Sequence, residues 1–158
     1  MKSTDPVRRQ RGTQLVELAI IMPVMLLLTF IVIEGADVIR THIILNNAAR
    51  EGARLSAQRE NQGFTDQVKL AITATPDGVL ARSGFPTQQI PNVVVDVIQN
   101  GKTQADYGTG TPVTITMSVV TLTYPYTLQY MPNLQVFGLS DGATVVNLAV
   151  SAEFRNLY

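Results

Sequence analysis

The sequence contains no cysteine and no tryptophan, and His42 is its only histidine. Without cysteine, the chain forms no disulfide, no thiolate nucleophile and no cysteine-based metal site. One histidine does not supply the converging groups of a catalytic triad or of a histidine-rich metal site. The sequence also has neither a P-loop nor a dinucleotide-binding glycine motif. We therefore expect a protein that is not an enzyme and that holds no metal and no cofactor, and we interpret His42 as an interfacial residue.

Charge is also scarce, since 15% of the residues are charged, against roughly 25% in typical globular chains. Twelve basic and twelve acidic residues cancel, but they are unevenly placed. Four basic residues precede Gly12, whereas residues 13–158 contain eight basic and eleven acidic side chains. A nucleic-acid interface needs a clustered basic face, and the nearest candidate, Arg50–Arg59, is interrupted by Glu51. We therefore expect no nucleic-acid partner.

The low charge reflects a long apolar segment near the amino terminus. Residues Leu18–Ile33 contain no charged side chain. As a helix this segment spans roughly 24 Å, and including Leu15 and Val16 extends it to roughly 28 Å, close to a hydrocarbon core of about 30 Å. Pro23 lies inside the segment, and membrane helices tolerate such a proline when neighbouring groups satisfy the freed backbone. The sequence thus predicts one membrane-spanning helix over residues 13–34.

The residues that flank the apolar segment predict its orientation. Four basic residues precede it, and Glu34 and Asp37 follow it. The positive-inside rule then places the amino terminus in the cytoplasm and the chain after residue 34 outside. A secretory signal would need a small-residue cleavage site after the apolar segment, and the charged residues Glu34 and Asp37 make that a poor fit.

A different kind of signal fits the start of the chain. Gly12 ends the basic leader, and Glu17 follows five residues later, where the apolar segment begins. This arrangement is typical of a prepilin signal, which a membrane peptidase cuts on the cytoplasmic side, directly after the glycine. The predicted cut lies between Gly12 and Thr13. The leader, residues 1–12, is then removed, and the apolar helix stays with the protein.

Glu17 has a physical role in this interpretation. A carboxylate within hydrocarbon costs about 2.5–3.5 kcal/mol even on mild scales, so it usually marks a partner. Cleavage gives Thr13 a free amino group, which can pair with Glu17 of a neighbouring subunit in a filament. The alternative is that Glu17 lies near the cytoplasmic interface and only reaches the lipid headgroups.

Small residues recur at three- and four-residue spacing beyond the membrane segment, at Ala48, Ala49, Gly52 and Ala53. This spacing puts them on one helical stripe, which allows close approach to another helix or to a sheet. We expect one continuous helix from Thr13 to about Glu60, with residues 35–60 as its extracytoplasmic continuation. The stripe is interpreted as core packing within the chain, with a contact between subunits as the alternative.

Residues 61–158 have the patterns of a small exported domain. A second helix is predicted from Thr65, as its cap, to about Ala74. Its inward-facing residues are predicted to be Val68, Ala71 and Ile72. Residues 78–91 are rich in glycine, proline, serine and glutamine and are interpreted as a connection.

Three strands are predicted from runs of β-branched residues, at positions 93–98, 113–124 and 146–154. The alternation of the second strand slips at Val119–Val120, which indicates a bulge or a twist. The nearby tyrosines, Tyr124 and Tyr126 among them, either cover the edge of the core or form a partner contact. The predicted fold class is α+β, with a long amino-terminal membrane-spanning helix packed on a small antiparallel sheet of about three to four strands.

Two stretches of this sequence resemble the TadE-like minor pseudopilins. The first is Arg11–Ala19, with its glycine and glutamate, followed by Pro23 in the apolar segment. The second is Asn46–Arg54, a stretch of small residues that a general prepilin signal does not include. Leu18 departs from the pattern, because an aromatic residue is common after the glutamate in this family. That departure bears on helix packing rather than on cleavage.

The resemblance implies a pilin-like fold and a minor pseudopilin of the tight-adherence (Tad, or Flp) pilus, a type IV-like system. It implies a structural and assembly role in pilus biogenesis, surface adherence and biofilm formation. The implied partners are the prepilin peptidase, other pilin and pseudopilin subunits, the inner-membrane assembly platform and the lipid bilayer. The protein is then a single-pass membrane protein whose carboxy-terminal domain lies in the periplasm, at the cell surface or within a pilus.

Two other interpretations stay open from the residues alone. One is an uncut, membrane-anchored domain that binds or senses a ligand outside the cell. The other is a pseudopilin of a type II secretion-like machine, which shares the same signal. The small-residue stretch at Ala48 tells against the second of these.

Overall fold

One long helix and a three-stranded sheet make up most of the fold. The computed structural model describes residues 6–58, 63–105, 113–128 and 145–156. The helices are α1 (Pro6–Ser56), α2 (Thr65–Thr73) and α3 (Val79–Arg82), followed by a 3₁₀ helix (Thr87–Asn92). The strands are β1 (Val94–Ala105), β2 (Val113–Thr127) and β3 (Val145–Arg155).

Helix α1 is continuous over 51 residues and runs through Pro23 without a break. It begins at Pro6, before the predicted start at Thr13, and a proline suits the first turn because its missing N–H has no helical partner there. It ends at Ser56, short of the predicted end near Glu60. The helix ends there because its last backbone hydrogen bond spans three residues instead of four: the Gln58 N–H donates to the Leu55 carbonyl at 3.3 Å. That three-residue spacing tightens and terminates the helix.

The sheet is antiparallel, with the strands in the order β1-β2-β3. Strand β2 lies at the centre, where Val120 is opposite Val97 of β1 and Ala152 of β3. The pairing of β2 with β3 is regular from Met117 to Thr127. A long amino-terminal helix with a three-stranded antiparallel sheet confirms the predicted α+β fold class.

The irregularity predicted at Val119–Val120 of β2 lies instead in the neighbouring strand. The register of β1 against β2 shifts between Ile98 and Gly101, and Asn100 takes a positive φ of 63°. Asparagine tolerates this left-handed region better than most residues, so the extra residue of the bulge is placed there. Gln99 and Asn100, which lie between the pairs Ile98–Val119 and Gly101–Met117, therefore form a bulge inside a long strand and do not end it.

The bulge also aims the Gln99 side chain at the helical layer. Its amide nitrogen donates to Ser56 Oγ at 3.1 Å, and its amide oxygen accepts from the Gly63 backbone N–H at 2.7 Å. Gln99 therefore connects the end of α1, the start of the α2 segment and the sheet. This contact fixes the carboxy-terminal end of α1.

The core lies between α1 and one face of the sheet, and α2 packs beside them. Helix α1 contributes Leu45 and the small residues, and β2 contributes Val120 and Leu122, all of which are buried. Helix α2 adds Val68 and Ile72, as predicted.

Two details of the second helix differ from the sequence-based expectation. Ala71 was predicted to face inward and is exposed, because Val68 and Ile72 already fill the narrow contact of this nine-residue helix. Thr65 is the first helical residue, and Phe64 occupies the cap position without a side-chain hydrogen bond.

The segment 78–91 is more ordered than its composition indicates. It contains α3 and most of the 3₁₀ helix, and it supplies buried apolar side chains from Val79, Leu80, Phe85 and Ile90. Interpretation of this segment as a plain connection was therefore wrong. Its apolar residues are too widely spaced to give a periodic signal, yet they close one side of the core.

At Gly52, α1 lies close to both α2 and β2. A Cβ atom added there would lie 2.6 Å from Ile72 Cδ1 and 3.4 Å from Val120 Cγ1. We expect Gly52→Ala to destabilise the domain, because overpacking of about 1–3 kcal/mol exceeds the helix-propensity gain of about 1 kcal/mol. Chemical unfolding in detergent micelles measures the change.

Gly35→Ala is the matched control, since an added Cβ at Gly35 has nothing within 4 Å. Ile72→Val removes the Cδ1 atom that Gly52→Ala would meet, so the double variant should recover part of the loss relative to the two single variants. Additive effects in this cycle, or equal stability of Gly52→Ala and Gly35→Ala, would contradict the close-approach account.

Candidate functional site

Helix α1 divides into an uncovered amino-terminal part and a packed carboxy-terminal part. Every residue from Thr13 to Ile33 is exposed, including the large apolar side chains. Within the part of the chain that the structure describes, this is the one helix that is long and apolar enough to cross a bilayer. A run of exposed Leu, Ile, Val and Met side chains is stable in lipid but not in water. The helix therefore has the physical character of a membrane anchor.

The predicted processing and assembly residues lie on this uncovered part of α1. Gly12 and Thr13 are helical, and Thr13 and Glu17 are exposed. Their four-residue spacing places Thr13 and Glu17 one turn apart on the same helical face. Neither of them packs into the core between α1 and the sheet.

The predicted small-residue stripe lies in the core of the domain. Ala48 and Ala49 are completely buried and Ala53 is almost so. Gly52 lies against Ile72 of α2 and Val120 of β2. The small side chains let the α1 backbone approach the sheet, which is the role that close-packed small residues have in helix contacts. In this chain the stripe is used within one molecule.

The junction between the two parts of α1 is marked by Glu34. Its side chain is only 1% exposed, although it directly follows the uncovered apolar segment. A buried carboxyl group is stable only with hydrogen-bond partners. The Tyr126 hydroxyl of β2 donates a hydrogen bond to it. This contact joins the last turn of the apolar segment to the central strand of the sheet.

Tyr126 belongs to an aromatic cluster on the same end of the sheet. The Tyr124 ring packs edge-on against Phe85, with 5.1 Å between centroids, and against Tyr126 at 6.4 Å. The Tyr124 hydroxyl donates to Gln89 Oε1 at 2.8 Å. Burial, together with the hydrogen bond to Glu34, raises the pKa of Tyr126 to about 12. Burial also raises the pKa of Tyr124. Both hydroxyls therefore stay protonated donors at neutral pH.

Of the two interpretations of these tyrosines, core packing fits Tyr124 and Tyr126, because both are buried. The Glu34–Tyr126 contact was not predicted from the sequence. In the sequence, Glu34 contributes only a negative charge after the apolar segment, which helps to predict the orientation of the helix. The signal that points to the contact is an acidic residue at the edge of hydrocarbon, which requires a hydrogen-bond donor.

The polar face of α1 beyond the junction carries a surface ion pair. Arg54 donates to Glu51 at 2.8 Å, and this hydrogen bond holds the pKa of Glu51 below its usual range. The pair borders an open groove of about 420 Å³ between α1 and the end of β3, where Phe154 and Glu153 lie. His42 is exposed on α1. Within the described ranges, no group of three or more acidic or histidine side chains is placed to hold a metal ion.

We expect Tyr126→Phe to destabilise the fold by about 1.5–3 kcal/mol, because the buried carboxyl group of Glu34 loses a hydrogen-bond donor. Tyr124→Phe is the matched control, since it removes a hydroxyl from a partly buried bond between neutral groups, which is worth about 0.5–1.5 kcal/mol. Urea unfolding of the full chain in micelles, followed by near-ultraviolet circular dichroism, measures both. Equal losses of unfolding free energy in the two variants would show that the hydrogen bond to Glu34 stabilises the fold no more than the bond between Tyr124 and Gln89.

The comparisons with known proteins concern the same long helix. No curated protein and no solved structure matches this chain. Residues 12–54 match the family described as TadE-like protein, a range that covers the predicted cleavage site, the apolar segment, the junction and most of the small-residue stripe. This match connects the chain with the Tad pilus system. The resemblance expected from the sequence is confirmed over residues 12–54, where the chain is similar to the TadE-like proteins.

Proposed function

We propose that this protein is a minor pseudopilin of a Tad pilus, with a structural and assembly role rather than a catalytic one. The observation that carries the proposal is the TadE-like match, which ends inside α1 and covers both of its parts. A helix with an uncovered apolar half and a packed half suits a subunit that is stored in a membrane and contributes to a filament. Surface adherence and biofilm formation are then consequences of pilus assembly.

The proposed topology has four parts. Residues 1–12 are a leader that the prepilin peptidase removes, and residues 13–34 span the bilayer with the amino terminus in the cytoplasm. Residues 35–60 continue the helix outside, and residues 61–158 form the exported domain. The uncovered segment Thr13–Ile33 and the start of domain packing at Glu34 support this division.

The proposed assembly contact uses the exposed face around Thr13 and Glu17. After cleavage, the new amino group of Thr13 and the carboxylate of Glu17 carry opposite charges one helical turn apart. In a filament whose subunits are offset along the helix axis, the amino group of one subunit pairs with Glu17 of its neighbour. In hydrocarbon such a pair is strongly favoured, since each isolated charge is costly there. Other pilin and pseudopilin subunits and the inner-membrane assembly platform are the proposed partners.

We expect Glu17→Ala to leave leader cleavage largely intact and to reduce incorporation of the subunit into the pilus assembly. The reason is that the substitution removes the partner of the Thr13 amino group without changing the cleavage position. Crosslinking to other pilus subunits and surface piliation measure incorporation, and intact mass measures cleavage.

Glu51→Ala is the control, because Glu51 is an acidic residue on the same helix that pairs with Arg54, far from the apolar segment. It should leave both cleavage and piliation unchanged. Normal piliation by Glu17→Ala would count against the proposed pairing. An uncut leader in the unaltered chain would favour a tethered binding domain instead.

A further inference from the structure

A small cleft lies beside α1, just beyond the end of the apolar segment. Its volume is about 200 Å³, and α1 forms one side of it while Gly84 and Pro86 form the other. Its polar side chains are Asp37, Arg40 and Thr41 of α1, Gln89 of the 3₁₀ helix and Tyr126 of β2. Pockets that enclose drug-sized ligands measure about 300–1,000 Å³. This cleft therefore suits a small polar group.

Asp37 and Arg40 give the cleft two opposite charges that are not paired with each other. They are three residues apart and share one face of α1. Glu51 and Arg54 have the same spacing on the same helix and form a bidentate pair, with contacts of 3.0 and 2.8 Å. Among the described residues, by contrast, neither Asp37 nor Arg40 has an ion-pair partner. The cleft thus presents a carboxylate and a guanidinium that are both free to contact a ligand.

Neutral hydrogen-bond donors lie beside these two charges. The Gln89 amide oxygen accepts from the Tyr124 hydroxyl at 2.8 Å, and its amide nitrogen has no acceptor within the part of the chain that the structure describes. The Thr41 side chain also lines the cleft and is half-buried. Arginine forms short, charge-assisted hydrogen bonds with phosphate oxygens. Arg40, Gln89 and Thr41 together therefore suit a phosphate group, whereas Asp37 suits an ammonium group.

The height of the cleft on α1 matches the headgroup layer of a bilayer that α1 spans. A helix rises 1.5 Å per residue, so Asp37 and Arg40 lie about 6 Å and about 10 Å beyond Ile33, where the apolar segment ends. The headgroup layer is about 5–8 Å deep on each side of the hydrocarbon core. Asp37 therefore lies within this layer. Long side chains on a helix point back towards its amino terminus, which aims the Arg40 guanidinium at the same layer.

We propose that this cleft binds the phosphoethanolamine headgroup of a phospholipid in the extracytoplasmic leaflet. Arg40 binds the phosphate, helped by the donors of Gln89 and Thr41, and Asp37 accepts a hydrogen bond from the ammonium group. The inference rests on the proposed function, because a headgroup reaches the cleft only when α1 spans the bilayer. A phosphate ester that carries an ammonium group has the same chemistry in a lipid and in a free molecule, and the test separates these two sources.

Lipid binding to the full chain in detergent micelles tests the proposal. Phosphatidylethanolamine, phosphatidylglycerol or phosphatidylcholine is titrated in, and native mass spectrometry counts the bound lipid. Arg40→Gln and Asp37→Asn each remove one charge from the cleft. Arg50→Gln and Asp96→Asn are the matched controls, since both residues are exposed and lie outside the cleft, Arg50 on the same helix.

We expect one phosphatidylethanolamine to bind the unaltered chain about tenfold more tightly than phosphatidylglycerol, which has no ammonium group for Asp37. Phosphatidylcholine should also bind more weakly, because its quaternary ammonium has no N–H to donate. Arg40→Gln should weaken the binding of phosphatidylethanolamine about tenfold, which is the low end for a hydrogen bond to a charged group. Asp37→Asn should abolish the preference over phosphatidylglycerol, and the two control variants should behave like the unaltered chain.

Equal affinity of the unaltered chain for the three lipids would overturn the headgroup site, as would equal losses in Arg40→Gln and Arg50→Gln. Displacement of the lipid by soluble phosphoethanolamine at equal concentration would assign the cleft to a free phosphate ester, which overturns the lipid as its ligand. Flotation of the same proteins with vesicles tests the anchor separately. Chains that float without any lipid preference refute the cleft alone, whereas chains that do not float refute the membrane-spanning helix and the cleft together.

Discussion

The close approach of α1 to the sheet is the contact on which the rest of the structure depends. Ala48, Ala49, Gly52 and Ala53 remove side-chain bulk along one stripe, and the helix backbone lies near Ile72 and Val120 as a result. The same 51-residue helix continues past this stripe as an exposed apolar segment. One element then has two kinds of surface, one packed in the protein core and one exposed, apolar and long enough to cross a bilayer.

The transition between these environments is abrupt. Every residue from Thr13 to Ile33 is exposed, and the next residue, Glu34, is buried beneath the sheet. A linker would let the domain swing freely, whereas the Tyr126 hydrogen bond and the aromatic cluster beside it hold the domain against the helix. The Gln99 amide secures the other end of the contact near Ser56. The sheet and the long helix are therefore held together at both ends of their contact, near Glu34 and near Ser56.

Much of this architecture can be predicted from the sequence, because its signals are local. The uncharged segment Leu18–Ile33, the small-residue spacing at Ala48–Ala53 and the alternation in β2 and β3 each identify an element and its buried face. The fold class follows from these patterns, and the TadE-like resemblance rests on the residues of Arg11–Ala19 and Asn46–Arg54.

The contacts that fix one element against another could not be predicted in the same way. Glu34 and Tyr126 are far apart in the chain, and nothing near either residue specifies its partner. The irregularity that was predicted in β2 lies in β1. A bulge shifts the pairing of both strands, and the alternation of residues in one strand does not show which strand holds the extra residue. The segment 78–91 has the composition of a loop, yet Leu80 and Phe85 are buried by tertiary contacts.

The amino terminus of the membrane-purified protein, expressed with and without its prepilin peptidase, tests the central claim most directly. The account predicts a chain that begins at Thr13 when the peptidase is present and an intact leader when it is absent. Mass spectrometry of the whole chain distinguishes these two forms. An intact leader under both conditions would contradict the claim that this helix is a processed pilus subunit, although a membrane anchor would still stand.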